Sequence, residues 1–134
     1  MSTDWRTHAE ITDFRETPNY TDTIAYAKRL AGASPAIEYR GFGYSGQRRE
    51  LPLLIASESG TFTPEAAQAQ QKAIVLIQAC IHAGEPDGKD AGFALLRDVV
   101  ITKSAAGLLN KTFKTDAVKQ GLLVGIAKIT INTK

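Results

Sequence analysis

The sequence has little cysteine and histidine: one cysteine, Cys80, and two histidines, His8 and His82, in 134 residues. A single cysteine excludes a framework of internal disulfide bonds. No apolar run approaches the roughly 20 residues that a membrane-spanning helix needs. The stretch from Met1 to Glu10 is polar and charged, unlike a signal peptide. We therefore expect the chain as given to be soluble and cytoplasmic.

The charge is almost balanced, with 16 Lys and Arg against 14 Asp and Glu. No basic stripe with interleaved aromatic residues is present, so we expect neither a nucleic acid nor a membrane as partner. The charge is uneven along the chain. Residues 1–102 hold ten Lys and Arg against thirteen Asp and Glu, whereas residues 103–134 hold six Lys against one Asp. The C-terminal segment thus differs in composition from the rest of a chain long enough for one domain.

The first half of the chain predicts a helix followed by a hairpin. Apolar residues recur at helical spacing over Tyr20–Ala31, and either Asn19 or Thr21 can cap this helix. Ala36–Phe42 and Leu51–Ser57 have the pattern of strands, and a turn-rich connector separates them. We expect these two strands to pair as a hairpin.

The second half begins with a polar segment, 63–72, that is either a short helix or a surface insertion. The nearly continuous apolar run from Ala73 to Ile81 predicts a central strand covered on both faces. Asp87 can cap a helix over about 88–101. The expected apolar stripe of that helix is Ala91, Leu95 and Val99. A strand over 121–131 is a weaker expectation, because the periodicity there is mixed.

Gly41-Phe-Gly43-Tyr-Ser-Gly46 satisfies the GxGxxG pattern of dinucleotide-binding proteins. In those proteins the third glycine opens a helix whose N-terminus faces the pyrophosphate. Here Gly46 is followed by polar residues and then by an apolar strand. We therefore interpret the glycines as part of a hairpin loop, with Arg48 and Arg49 at its solvated tip.

His82-Ala-Gly-Glu85 follows directly after the apolar run that ends at Ile81. Zinc accepts an imidazole nitrogen and a carboxylate oxygen, and a His and a Glu three residues apart in a turn can point at one ion. The end of a strand is also where α/β sheets usually place ligands. The alternative is a surface histidine beside a glutamate that favours a helix N-terminus. The residues alone leave both interpretations open.

The stretch from Trp5 to about Lys111 resembles the N-terminal portion of the zinc carboxypeptidase family, the carboxypeptidase A-like metallopeptidases. The matching segments come in the order found in the family. They are Thr17-Pro-Asn-Tyr20, Gly43-Tyr-Ser-Gly-Gln-Arg-Arg49 with Leu51-Pro-Leu-Leu-Ile55, and His82-Ala-Gly-Glu-Pro-Asp-Gly88. The HxxE after a strand is the most specific of them.

The resemblance implies an α/β fold, a mixed and twisted sheet flanked by helices, here as an incomplete carboxypeptidase-like fold. It also implies one zinc ion with His82 and Glu85 as its first two ligands and a later histidine as the third. The zinc and a distant glutamate would activate a water that attacks a peptide bond. The expected substrate is the C-terminus of a peptide or protein, and family members are often secreted or periplasmic.

The other half of such a site cannot be placed in this chain. His8 lies in the N-terminal arm, where we expect nothing to fix it near the zinc. Cys80, two residues before His82, is expected to pack as a small hydrophobic residue rather than to bind zinc. No catalytic residue and no substrate-binding residue is identified. We therefore divide the chain into 1–112, the N-terminal part of a catalytic domain, and 113–134, a tail without family resemblance.

Three functions remain to be distinguished. The first is a truncated zinc metallocarboxypeptidase that is weakly active or inactive alone. The second is a zinc-dependent acylase of the related type, which also uses HxxE. The third is a non-catalytic partial domain that keeps part of the fold. Whether the chain is an enzyme is thus open, and zinc is the expected cofactor for the first two.

Overall fold

A computed structural model describes residues 3–82, 84–104 and 122–127 of the chain. These residues form three helices, four strands and a further single helical turn near the N-terminus. The elements in chain order are α1 (His8–Ile11), α2 (Tyr20–Ala33), β1 (Ile37–Tyr44), β2 (Glu50–Ala56), α3 (Pro64–Ala69), β3 (Ala73–Gln78), α4 (Asp87–Leu96) and β4 (Leu122–Ala127). A π-helical segment, Arg97–Ile101, continues α4. In the described part of the chain, no helix is long and apolar enough to cross a bilayer.

The predicted first helix is confirmed as α2. The side chain of Asn19 accepts a hydrogen bond from the backbone N–H of Asp22 at 3.0 Å, so Asn19 rather than Thr21 caps the helix. The helix continues past Gly32 to Ala33, and Ser34 takes an extended conformation at its end. Asn19 therefore fixes the N-terminus of this element locally, in agreement with the sequence pattern.

The predicted hairpin is also confirmed. β1 and β2 pair antiparallel, with Ile37 opposite Ala56. The register shifts between Gly41 and Tyr44, which marks an irregularity in the ladder. The GxGxxG glycines thus lie on β1 and in the hairpin turn, and strand β2 follows them where a dinucleotide fold would have a helix.

The sheet has four strands in the order β1-β2-β4-β3. β4 pairs antiparallel with β2 and parallel with β3, so the sheet is mixed, as expected. The expectation that 73–81 forms a central strand covered on both faces is wrong. β4 lies between β2 and β3, so β3 ends the order of described strands, and Leu76 on it is 64% exposed.

β4 coincides with part of the strand expected over 121–131. Residues 128–131 lie outside the described residues, as do 105–121, which include the expected boundary between 112 and 113. The strand nevertheless belongs to the sheet, because Val124 pairs with both Ala56 and Val75. Residues assigned to the tail thus contribute to the architecture.

Helices cover both faces of the sheet. On one face, α2 and α4 pack against β1 and β2, and the main buried cluster is Ala27, Leu30, Ile37, Leu54, Ala56, Phe93 and Leu96. On the other face, Ala67 of α3 packs against Ile55, with Leu53 and Phe62 beside them. The alternation of Leu53 and Ile55 with Leu54 and Ala56 on β2 supplies both layers. The chain is therefore a mixed α/β protein.

α4 differs from the expectation in two respects. Pro86 is its N-cap residue and makes no side-chain cap bond, so Asp87 is the first helical residue rather than the cap. The buried face includes Phe93 and Leu96, whereas Leu95 is 41% exposed. The expected stripe that contains Leu95 is thus turned outward, because the buried face of α4 includes Lys89 and Asp90, charged residues that a purely apolar pattern does not select.

The N-terminal arm is held in place against α2 and the end of α4, and no contact of the described residues brings it to the His82–Glu85 turn. Thr7 and Glu10 form a reciprocal capping box at α1, and Thr7 is buried. The hydroxyl of Tyr26 donates to the backbone carbonyl of Trp5 at 2.6 Å, and Arg97 donates to the same oxygen at 3.3 Å. The arm is therefore packed against α2 and the end of α4.

Candidate metal-binding site

His82 and Glu85 are brought together by a tight turn that follows β3. The backbone N–H of Glu85 donates to the carbonyl of His82 at 3.2 Å, which closes the turn. The two side chains lie on the same side of it, with Nδ1 of His82 3.0 Å from Oε2 of Glu85. The sequence expectation that this spacing makes the two donors converge agrees with this geometry.

Both side chains face solvent, with 76% of the His82 side chain and 62% of the Glu85 side chain exposed. Exposed ion pairs add little to stability, because water screens them and ordering two side chains costs entropy. A contribution to the stability of the fold therefore does not explain the contact between His82 and Glu85. Its position leaves both donors accessible to a ligand from outside.

Glu85 also borders an open cleft of about 430 Å³ between the end of β3 and α4. Most of the surrounding side chains are apolar, among them Ile77, Ile81 and Leu95. The helix approaches the strand closely here: a Cβ atom on Gly88 would lie 3.1 Å from the Cβ of Ala79. The absence of a side chain at Gly88 thus lets α4 begin next to the motif.

Cys80 does not join His82 and Glu85. Its φ of 56° lies in the left-handed region, which interrupts the alternation of a strand, so Cys80 and His82 need not share a face. Its thiol is buried and lies 3.7 Å from the carbonyl oxygen of Pro86, and burial raises its pKa. This position agrees with the expectation that Cys80 packs as a small hydrophobic residue.

His8 lies elsewhere in the molecule. Its Nε2 is 3.2 Å from a carboxylate oxygen of Glu16, and the cavity that it borders is formed by α1, α2 and α4. Within the described ranges, no group of three or more His, Cys, Asp or Glu side chains is placed to hold a metal ion. Among side chains of these four types, only Asp116 lies outside those ranges. The described residues of this chain thus supply one pair of donors at the turn.

A buried ion pair anchors the helix that follows the motif, and sequence reasoning missed it. Nζ of Lys89 lies 2.9 Å from Oδ2 of Asp90, and it also donates to the carbonyl of Pro86 at 3.2 Å and to Thr17. Thr17 in turn contacts Asp90. This cluster fixes Pro86, the neighbour of Glu85, against the segment that precedes α2. The sequence contains a pattern that could have indicated this buried face, because Lys89, Phe93 and Leu96 recur at helical spacing.

The hairpin tip is less solvated than expected. Arg48 is exposed, but the guanidinium of Arg49 lies 5.5 Å from the ring centre of Tyr20 and is partly covered. The hydroxyl of Tyr20 donates to the backbone carbonyl of Glu50 at 2.9 Å. Arg49 therefore helps to pack the hairpin onto α2.

A comparison of this chain with models of protein families, with curated proteins and with solved structures found no match. The interpretation of its function therefore depends on its own residues and their geometry.

Proposed function

We propose that this chain is the N-terminal part of a zinc carboxypeptidase-like hydrolase and that His82 and Glu85 are two of its zinc ligands. The observation that carries the proposal is the 3.0 Å separation of Nδ1 of His82 and Oε2 of Glu85 on an exposed turn. Its position next to a largely apolar cleft adds support, because ligand sites are mostly concave and apolar with a few polar groups.

The donor geometry fits a zinc ion. Zinc binds nitrogen and carboxylate oxygen at about 2.0–2.2 Å, so two donors 3.0 Å apart can share one ion at an angle of roughly 90°. The same contact also suits a hydrogen bond, in which a proton takes the place of the metal. A zinc ion would take the place of the hydrogen between these two atoms, and the two donor atoms already lie close enough to share it.

The chemistry of peptide hydrolysis needs more than these two residues. Bound zinc supplies a polarised water and a Lewis acid. His82 and Glu85 would hold the ion, but a third protein ligand and a general base are also required. Among the described residues no third ligand joins the pair. We therefore expect weak zinc binding and little or no peptidase activity from this chain alone.

A non-catalytic role as a partial domain is the second candidate, and the same incomplete ligand set favours it. In that case the His82–Glu85 contact is an exposed ion pair and nothing more. The two candidates differ in one measurable property, because only the first requires zinc to bind at this turn.

Calorimetric titration with zinc tests the proposal. We expect heat of binding for the wild-type chain and its loss in His82→Ala and Glu85→Gln. His8→Ala is the matched control, because it also removes a histidine that contacts a glutamate, yet far from the turn. Identical heats for the wild type and His82→Ala would refute zinc binding here and favour the non-catalytic domain.

A hydrolysis assay tests the expected lack of activity. Peptides with a free C-terminus are compared with the same peptides carrying a C-terminal amide, with and without a chelator. Robust cleavage of only the free form, abolished by the chelator, would contradict the expectation that one chain is inactive.

A further inference from the structure

The described residues of one chain would leave a zinc ion at the turn with open positions. Zinc in structural protein sites is almost always held by four ligands in a tetrahedron. The turn supplies two of them, and no third His, Cys, Asp or Glu in the described part of the chain joins them. The described residues therefore leave two positions of the ion that water or another molecule can fill.

The turn is open to another molecule. The His82 and Glu85 side chains are 76% and 62% exposed, so the donors are not enclosed by their own chain. Two such pairs, related by a two-fold axis through one ion, provide two nitrogens and two oxygens. A two-fold interface uses the same patch on both subunits, so a single self-complementary surface is enough.

Charge favours two pairs over one. Two glutamates neutralise the charge of one zinc ion, whereas one glutamate leaves a net positive site. Without the ion, the exposed Glu85 and Asp87 of two facing copies would repel each other. The metal should therefore control the association.

Apolar surface lies next to the turn. Ile81, which directly precedes His82, is 53% exposed, and Leu76 on β3 is also exposed. In the described part of the chain, β3 pairs with β4 and with no other strand. Exposed apolar residues of this kind are removed from water when a second copy covers them.

We propose that zinc joins two copies of this chain, each of which contributes His82 and Glu85 to one four-coordinate site. This inference rests on the proposed zinc binding at the turn, and it adds the partner, which is a second copy of the same chain. Zinc has a structural role in this assembly, since its four positions are filled by protein donors.

Sedimentation velocity during a zinc titration tests the inference on the full chain, with bound zinc measured in the sedimenting species. We expect the mass to rise from 14.5 kDa to twice that value, with one zinc ion per two chains, and to return after addition of a chelator. His82→Ala and Glu85→Gln should remain monomeric, and His8→Ala should behave as the wild type. Circular dichroism establishes that each variant is folded.

Ile81→Glu separates the metal from the surface, because it keeps both ligands and adds like charges beside them. We expect this variant to dimerise at least tenfold more weakly than the wild type in zinc. An unchanged dimer would contradict a contact at this face.

The outcomes distinguish the two proposals. One zinc ion per chain at 14.5 kDa would overturn the shared site and leave the proposed function standing. No zinc binding by the wild type would overturn both. A doubled mass without zinc would also overturn the inference, because association would then not require the metal.

Discussion

Lys89 and Asp90, consecutive residues of α4, form an ion pair inside the protein, with 2.9 Å between Nζ and Oδ2. Only 2% of Lys89 and 7% of Asp90 is exposed. Consecutive residues of a helix point about 100° apart, so the long lysine side chain has to fold back to meet its neighbour. It also contacts Thr17 and the carbonyl of Pro86. The pair thus joins the start of α4 to the segment before α2.

Lys89→Met should destabilise the protein by about 3–5 kcal/mol, because the Asp90 carboxylate is left buried without its cation. The free energy of unfolding is measured by urea titration. Lys28→Met, at an exposed position of α2, is the control and should cost less than about 1 kcal/mol. A cost for Lys89→Met as small as that of the control would contradict the role of the pair. Replacing both partners by apolar residues should recover part of the loss.

Leu95 and Leu96 offer a matched test of which face of α4 is buried. Leu96 is 3% exposed and belongs to the main core cluster, whereas Leu95 is 41% exposed. Leu96→Ala should cost about 2–5 kcal/mol, because it removes buried methyl groups and leaves a cavity. Leu95→Ala, with the same chemical change one residue away, should cost about 1 kcal/mol or less. Equal costs would mean that α4 is rotated relative to the sheet.

The contact between Glu10 and Arg97 should make stability depend on pH. The hydrogen bond from Arg97, together with that from the backbone N–H of Thr7, lowers the pKa of Glu10 below its ordinary value of 4.5. The unfolded chain therefore takes up this proton first as the pH falls. The stabilisation is fully present above about pH 4.5 and is lost as the pH falls through the lower pKa of the folded state.

Glu10→Gln should reduce the free energy of unfolding at pH 7 by about 1.5–3 kcal/mol, the range for hydrogen bonds to charged groups. The difference from the wild type should shrink below pH 4.5. Urea titrations at several pH values measure this. Glu16→Gln, which removes an exposed carboxylate beside His8, is the control and should change the free energy of unfolding at pH 7 by less than about 1 kcal/mol. A difference that stays constant down to pH 2 would rule out the linkage.

Cys80 should react slowly with thiol reagents while the protein is folded. Its thiol is buried beside Pro86, so a reagent can reach it only after local opening. We expect labelling to be at least about tenfold slower in the native protein than in concentrated urea, where the thiol is exposed. Mass spectrometry of timed samples gives the rates. Equal rates would show that the end of β3 opens readily.

The local elements could be predicted because their signals lie within a few residues of each other. The Asn19 cap contacts a residue three positions away, and the hairpin depends on two strands separated by a short connector. The same holds for the candidate site. The His82–Glu85 contact forms within one turn, so its spacing in the sequence was enough to predict it.

Sheet order could not be predicted, because it depends on segments far apart in the sequence. The apolar run of β3 is typical of a buried central strand. However, β4, which follows more than forty residues later in the chain, lies between β3 and β2. The buried face of α4 could not be predicted for a related reason. Lys89 belongs to the interior only because Asp90 and Thr17 are there to satisfy its charge and hydrogen bonds.

The sequence by itself determined the start of α2, the hairpin and a His82–Glu85 pair whose donors converge, since short-range hydrogen bonds and spacing govern all three. The tertiary structure alone decided that β3 lies at one end of the described sheet, that the Cys80 thiol is buried against Pro86, and that a buried ion pair anchors α4 beside the turn. These features depend on contacts between distant segments, where burial and charge compensation outweigh local preference.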